Sequence, residues 1–211
     1  MAGTTSRERR LQPGDPAPDV DLPAADGAGT VSLSGYRGHT PVLLALFRGL
    51  YCPFCRRQMA QLAPTARELK AAGVQTVGIV ATAAERARLY FRYRPSPFPI
   101  GADPDLATHR AFGLPQLPFT PEIAQRVEAA ASDLARDLGI PTAPGEAGRA
   151  IHAFDGFEPV DEDARDAERD QALVIGQFLI DRDGIVRWVN VERRPGELPS
   201  ARELLAAAAG L

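Results

Sequence analysis

Two short apolar runs, PVLLALF at 41–47 and VQTVGIV at 74–80, constrain the fold of this chain more than any other feature. Each is of strand length and apolar on both faces, as expected of strands covered on two sides. Between them a helix is expected from Pro53, where the missing N–H would be unpaired in any case. Met59, Leu62, Ala66 and Leu69 keep helical spacing, and Gly73 is placed to end the helix. Thr82 followed by Glu85 reads as a capping box for a second helix through Tyr93, closed by Pro95. Asp103 and Pro104 open a shorter helix that Gly113 ends. Strand, helix, strand, helix with buried strands predicts an α/β fold whose mostly parallel sheet is covered by helices.

The flanks complete this frame. Residues 1–12 are polar and aperiodic and are expected to form a mobile arm. Segment 13–36 reads as loop, a turn at Asp26-Gly27 and an edge strand near Thr30 to Leu33. Residues 177–191 read as an antiparallel hairpin around Arg182-Asp183-Gly184, and a last helix runs from Leu198 or Pro199 to Ala209. A chain of 211 residues suits one domain, 13–211, with an insertion at 115–174, given about 150 residues per domain.

The insertion opens with a helix over 121–138, capped by Thr120 and carrying an apolar stripe of Ile123, Val127, Ala130, Leu134 and Leu138. That stripe must be buried on its own fold or, in a homodimer, on a second subunit; own-fold packing is the expectation. Residues 161–170 hold six acids and two arginines and read as a solvated loop or frayed helix, with 155–171 mobile.

Charge removes several function classes. Lys plus Arg is 24 against 27 for Asp plus Glu, a net −3, so no basic field draws nucleic acid or an anionic membrane. Runs such as 41–47 fall far short of the ~18–20 residues that span a bilayer. Arg7, Arg9 and Arg10 precede LQPGDPAPDV rather than an apolar stretch, so no signal peptide is read and a cytoplasmic protein with reduced thiols is expected.

The chemistry-bearing motif is YCPFC at 51–55, at the seam between the central strand and the helix beginning at Pro53. Unpaired N–H groups and the positive end of the helix dipole there favour a thiolate on Cys52. Cys55 lies one turn behind, near enough to attack a sulfur bound to Cys52 and close a disulfide. Arg48 is the candidate for supplying positive charge to that thiolate and to a developing oxyanion. Half a zinc site is the rival reading. It would need two more ligands from His39, His109, His152 or carboxylates, and no second C-x-x-C or H-x-x-x-H occurs. A pair of inert core cysteines is the second rival, and a binding module that keeps the scaffold without the activity is the third, against which both thiols are retained. Arg56 and Arg57 oppose the helix dipole and are expected to be exposed, Tyr51 and Phe54 could wall an apolar pocket, and His109 and His152 receive no role.

Taken together, GDPAPDVDLPAADGAGTVSLSGYRGHTPVLLALF, RGLYCPFCRRQ, the DP at 103–104, AFGL and FLIDRDGIV resemble the AhpC/TSA group of peroxiredoxins. The resemblance is nearest to its peroxiredoxin-like branch with an R-G-x-x-C-P-x-C signature and covers about 13–114 and 175–191. It implies a thioredoxin-like fold with a mixed central sheet flanked by helices and an insertion before the C-terminal hairpin. Cys52 matches the peroxidatic position and the attacking cysteine of thioredoxin, and Cys55 matches thioredoxin's second cysteine. The departures are Ala45 and Gly49, where ordinary peroxiredoxins carry Pro and Thr, and Ile175, Gly176 and Gln177, where the family's second arginine or a thioredoxin cis-proline would fall.

The expected function is a thiol peroxidase. Cys52 attacks hydrogen peroxide or an organic hydroperoxide and becomes a sulfenic acid, Cys55 condenses with it to a disulfide, and an external thiol, thioredoxin-type or of low molecular weight, resets the pair. No metal, haem, flavin or nucleotide is required. A disulfide reductase and a redox-sensing binding protein are the alternatives, and the insertion is expected to cover the Cys52 pocket in part.

Overall fold

The structure is a computed structural model and describes residues 9–25, 27 and 29–211. Its centre is β3 (Val42–Phe47), flanked by β4 (Gln75–Val80) and β6 (Gly176–Ile180) in a five-stranded sheet. Outside these lie β5 (Ile100–Ala102) and β7 (Val186–Val191), giving the order β5-β4-β3-β6-β7. β3, β4 and β5 run parallel, whereas β6 and β7 are antiparallel to their neighbours, so the sheet is mixed.

Every residue of β3 is buried, and alternation decides which core each joins. Leu43, Ala45 and Phe47 face the core shared with α1 (Pro53–Ala71), whereas Val42, Leu44 and Leu46 pack on the opposite side with Phe112 and Phe178. This is the period-2 geometry of a strand covered on both faces. A ribbon of β1 (Asp21–Pro23) and β2 (Thr30–Ser32) lies against β5, where Ala25 N–H donates to the Ile100 carbonyl at 2.7 Å and shields that sheet edge. Of the turn expected at Asp26-Gly27, Asp26 lies outside the described residues.

Several local expectations are corrected. The helix α2 (Ala84–Tyr93) has Ala83 at its N-cap with no side-chain cap, so the Thr82 and Glu85 capping box does not form. Thr82 Oγ1 instead accepts from Leu50 N–H at 2.9 Å, because a buried N–H in the turn before Cys52 has greater need of an acceptor. The helix α3 (Ala107–Ala111) starts later than expected, and Asp103 caps it from outside by accepting from Ala107 N–H at 3.1 Å and Thr108 N–H at 2.7 Å. Of the arm expected over 1–12, residues 1–8 lie outside the described residues. Arg9 pairs with Asp15 at 2.7 Å and Leu11 N–H donates to the Phe112 carbonyl at 3.4 Å, so residues 9–12 follow the domain surface.

The insertion holds three helices where one was expected: α4 (Pro121–Asp137), α5 (Ala147–Phe154) and α6 (Asp161–Asp170). α4 buries Ala131 and Ala135 within its own fold. The acidic stretch takes the helical alternative but is not solvated: it is α6, and Asp163, Asp166 and Asp170 are buried along it. Burial is possible because the carboxylates are met by arginine. Asp163 accepts from Arg86 Nη2 at 2.6 Å and Nε at 3.0 Å, and Asp170 accepts from Arg169 Nη2 at 2.7 Å. The closing helix α7 (Ala201–Ala208) packs on α1, with Ser200 and Glu203 forming a capping box. No helix among the described residues is long and apolar enough to cross a membrane.

Candidate active site

β3 ends at Phe47, and residues 48–52 carry the chain over the sheet edge into α1. Two anchors hold this turn: Thr82 on Leu50 N–H, and Cys52 N–H donating to the Gly49 carbonyl at 3.0 Å. Gly49 is required, because a Cβ there would sit 2.9 Å from the Ala81 carbonyl and 2.8 Å from the Tyr51 ring. The threonine of ordinary peroxiredoxins has no room at this position.

Cys52 is the N-cap of α1, and its Sγ accepts from Cys55 N–H at 3.4 Å. Arg48 Nη1 donates to the same sulfur at 3.8 Å. Burial alone would push the Cys52 thiol up, but the Cys55 thiol and N–H and the Arg48 charge outweigh it and bring its pKa down to about 6. Cys55 is pushed well up by burial and by the neighbouring Cys52 thiolate. Environment thus separates the two cysteines, which form no disulfide, favouring the thiolate at Cys52 and the protonated thiol at Cys55.

Arg48 is buried, not the solvated loop residue that an isolated arginine would suggest. Its Nε donates to the Leu173 carbonyl at 2.9 Å and its Nη2 makes an ion pair with Glu192. Glu192, just past β7, also accepts from Gly196 N–H at 2.8 Å through its other oxygen. Burial pushes the Glu192 carboxyl up, with Arg48 pulling the other way. This carboxylate aims the guanidinium, leaving one nitrogen for sulfur. Sequence reasoning missed it because its only link to Arg48 is through space, 144 residues along the chain.

Arg56 is likewise buried. It donates to the Leu50 carbonyl at 2.6 Å and to Asp155 at 2.6 Å, and its guanidinium lies 3.9 Å from the Phe157 ring centroid. It fastens the insertion to the first turn of α1, whereas Arg57 is half-buried. Tyr51 and Phe54 do wall a pocket with Cys52, about 330 Å³ in volume. Its remaining walls come largely from the insertion: Val127 and Ala131 of α4, His152 of α5, and Ala164 and Ala167 of α6. His152 therefore does reach the site, where its ring stands edge-on to Phe157. His109 is fully buried elsewhere, its imidazole pushed down to about 4 by burial and so kept neutral. Gly176 and Gln177 pair with Leu46 and Ala45, beside the site but with no arginine to offer. No cluster of metal-ligating side chains occurs among the described residues.

The fold is thioredoxin-like, and solved structures match it. The fold matches a Mycobacterium tuberculosis peroxidoxin, BcpB, with a TM-score of 0.60 at 15% identity, covering 96% of this chain and 99% of that one. It also matches a protein of Chlorobium tepidum provisionally named as the thiol:disulfide interchange protein DsbE, with a TM-score of 0.56 at 22% identity, covering 94% and 99% of the two chains. In sequence, a Mycobacterium tuberculosis protein provisionally named a peroxiredoxin is 32% identical over 108 residues, 51% of this chain and 68% of the relative. The AhpC/TSA family pattern matches residues 13–189, spanning the cysteine pair, the insertion and most of the returning hairpin. On that span, and on a mixed sheet that sets Cys52 at the head of its first long helix, this chain belongs to the AhpC/TSA family.

Proposed function

We propose that the protein is a thiol peroxidase working through a Cys52/Cys55 cycle. The observation that carries this reading is the polarised pair: Cys52 is held near pKa 6 beside Arg48 and faces a pocket, while Cys55 stays protonated behind it. The Cys52 thiolate attacks one oxygen of the peroxide, the O–O bond breaks, and the leaving alkoxide or hydroxide takes up a proton. Arg48 holds the thiolate and faces the charge that develops on oxygen. Cys55 then attacks the Cys52 sulfenic acid, forming the disulfide and releasing water. An external thiol restores both cysteines. Cytoplasmic residence belongs to the same proposal, since the cycle needs a reducing compartment.

A disulfide reductase is the second reading, favoured by the C-P-x-C spacing. The two separate on rapid mixing of reduced protein with one equivalent of hydrogen peroxide, an alkyl hydroperoxide or a disulfide. The peroxidase reading expects peroxide to consume the thiols much faster than it consumes free cysteine. If only the disulfide reacts faster than with free cysteine, the reductase reading replaces it.

A further inference from the structure

The resetting step raises a problem of access. Cys52 is 4% exposed and Cys55 is 0% exposed, and of the two only Cys52 lines the pocket of about 330 Å³. A disulfide is reduced by a thiolate attacking one sulfur from outside the S–S bond. Here that thiolate must enter among α4, α5 and α6. The cysteine of a folded protein reductant sits at its own surface and cannot be carried beneath three helices.

Those helices are fastened down. Arg56 joins Asp155 and Arg86 joins Asp163, and both guanidinium groups lie over Phe157, at 3.9 and 5.3 Å from the ring centroid. Ala131, Ala147, Ile151 and Phe157 of the insertion are part of the main core.

The lining describes what does fit. It is apolar over Phe54, Val127, Ala131, Ala164 and Ala167, and two of its charged groups, Arg48 and Asp163, are already paired. Arg48 is held by Glu192, Asp163 by Arg86, and Glu128 accepts from Gly145 N–H at 3.1 Å. With Arg48 so held, no arginine or lysine of the lining is left to meet the carboxylates of a charged thiol peptide.

We propose that the reducing substrate is a small uncharged thiol that enters the Cys52 pocket, and that thioredoxin-type proteins and charged thiols are excluded. The proposal rests on the Cys52/Cys55 cycle. The first thiolate attacks Cys52 Sγ, forming a mixed disulfide and expelling the Cys55 thiolate, which takes the proton that the thiol released. A second thiolate attacks the substrate sulfur, giving the substrate disulfide and freeing Cys52.

The test starts from protein oxidised with diamide, so that it does not depend on peroxide reactivity. Recovery of thiols is timed with 2-mercaptoethanol, ethanethiol, glutathione and reduced thioredoxin, each rate being divided by its rate on the exposed disulfides of insulin. The 2-mercaptoethanol ratio is expected within about tenfold of unity, and the glutathione and thioredoxin ratios at least about 100-fold lower. Ala167→Phe, and separately Ala131→Leu, should slow the small thiols by about tenfold by filling the pocket. Thioredoxin acting as fast here as on insulin would overturn the proposal while leaving the peroxidase reading standing. A chain that diamide leaves fully reduced would overturn both.

Discussion

At the residue scale, the two sulfurs differ only in where the fold holds them. Cys52 receives the Cys55 N–H and the Arg48 guanidinium, and Cys55 is sealed in the core. Cys52→Ser should abolish reaction with peroxide, whereas Cys55→Ser should consume one equivalent and leave a sulfenic acid that a dimedone-type reagent traps. The reverse pattern would exchange their roles. Because the pKa of Cys52 is lowered to about 6, its rate should rise through that pH as the thiolate forms and level off above it. Arg48→Met removes a charge that favours the thiolate, so the midpoint should move upward and the rate at neutral pH should fall. It should also cost stability, on the order of 3 kcal/mol, because Glu192 loses the partner of a buried ion pair. A denaturant titration alongside the pH profile checks both outcomes.

At the element scale, the insertion helices are secured by charge pairs that run across the fold. α6 carries its acids inward to Arg86 of α2 and to Arg169 on α6 itself. Asp163→Ala leaves Arg86 without its counter-charge, beside only the Glu158 carbonyl and the Phe157 ring, and also removes the acceptor for Val160 N–H. We expect a loss of about 3–5 kcal/mol, read by chemical denaturation; a loss within about 0.5 kcal/mol would return the acidic stretch to the status of a solvated surface. In the turn before Cys52, one hydroxyl is the acceptor for Leu50 N–H. Thr82→Val keeps the side-chain shape but strands Leu50 N–H, so destabilisation of about 1–3 kcal/mol and a slower peroxide reaction should appear together. Loss of stability with an unchanged rate would show that this anchor does not position Cys52.

At the scale of the whole molecule, the question is whether the insertion behaves as a separate flap. Phe157, Ile151 and Ala147 share one core with Phe47, Phe54 and Leu69. We therefore expect a single unfolding transition, with hydrogen-exchange protection in α5 close to that of α1. Early exchange throughout α4, α5 and α6 would instead mark a lid opening on its own. Shared packing also means that replacing residues 141–170 by a linker would strip part of this core as well as uncover the pocket. Asp155→Ala is the gentler probe of access, since it unfastens Arg56 but leaves the apolar contacts in place.

The sequence by itself determined whatever depends on neighbours along the chain. Apolar runs of strand length became β3 and β4, Pro53 opened α1, Thr120 capped α4, and C-P-x-C placed a thiolate candidate at a helix N-terminus. Each follows from local hydrogen bonding, periodicity or the helix dipole, which act within a few residues. Tertiary structure alone decided the partners. Thr82 could serve α2 or Leu50, and the fold chose Leu50; Asp161–Asp170 could be solvated or buried, and Arg86 from another helix made burial affordable. Arg48 found Glu192 and Arg56 found Asp155 only after the sheet and insertion had closed. The energy of a buried charge depends on what fills the space around it, and one-dimensional order does not contain that space.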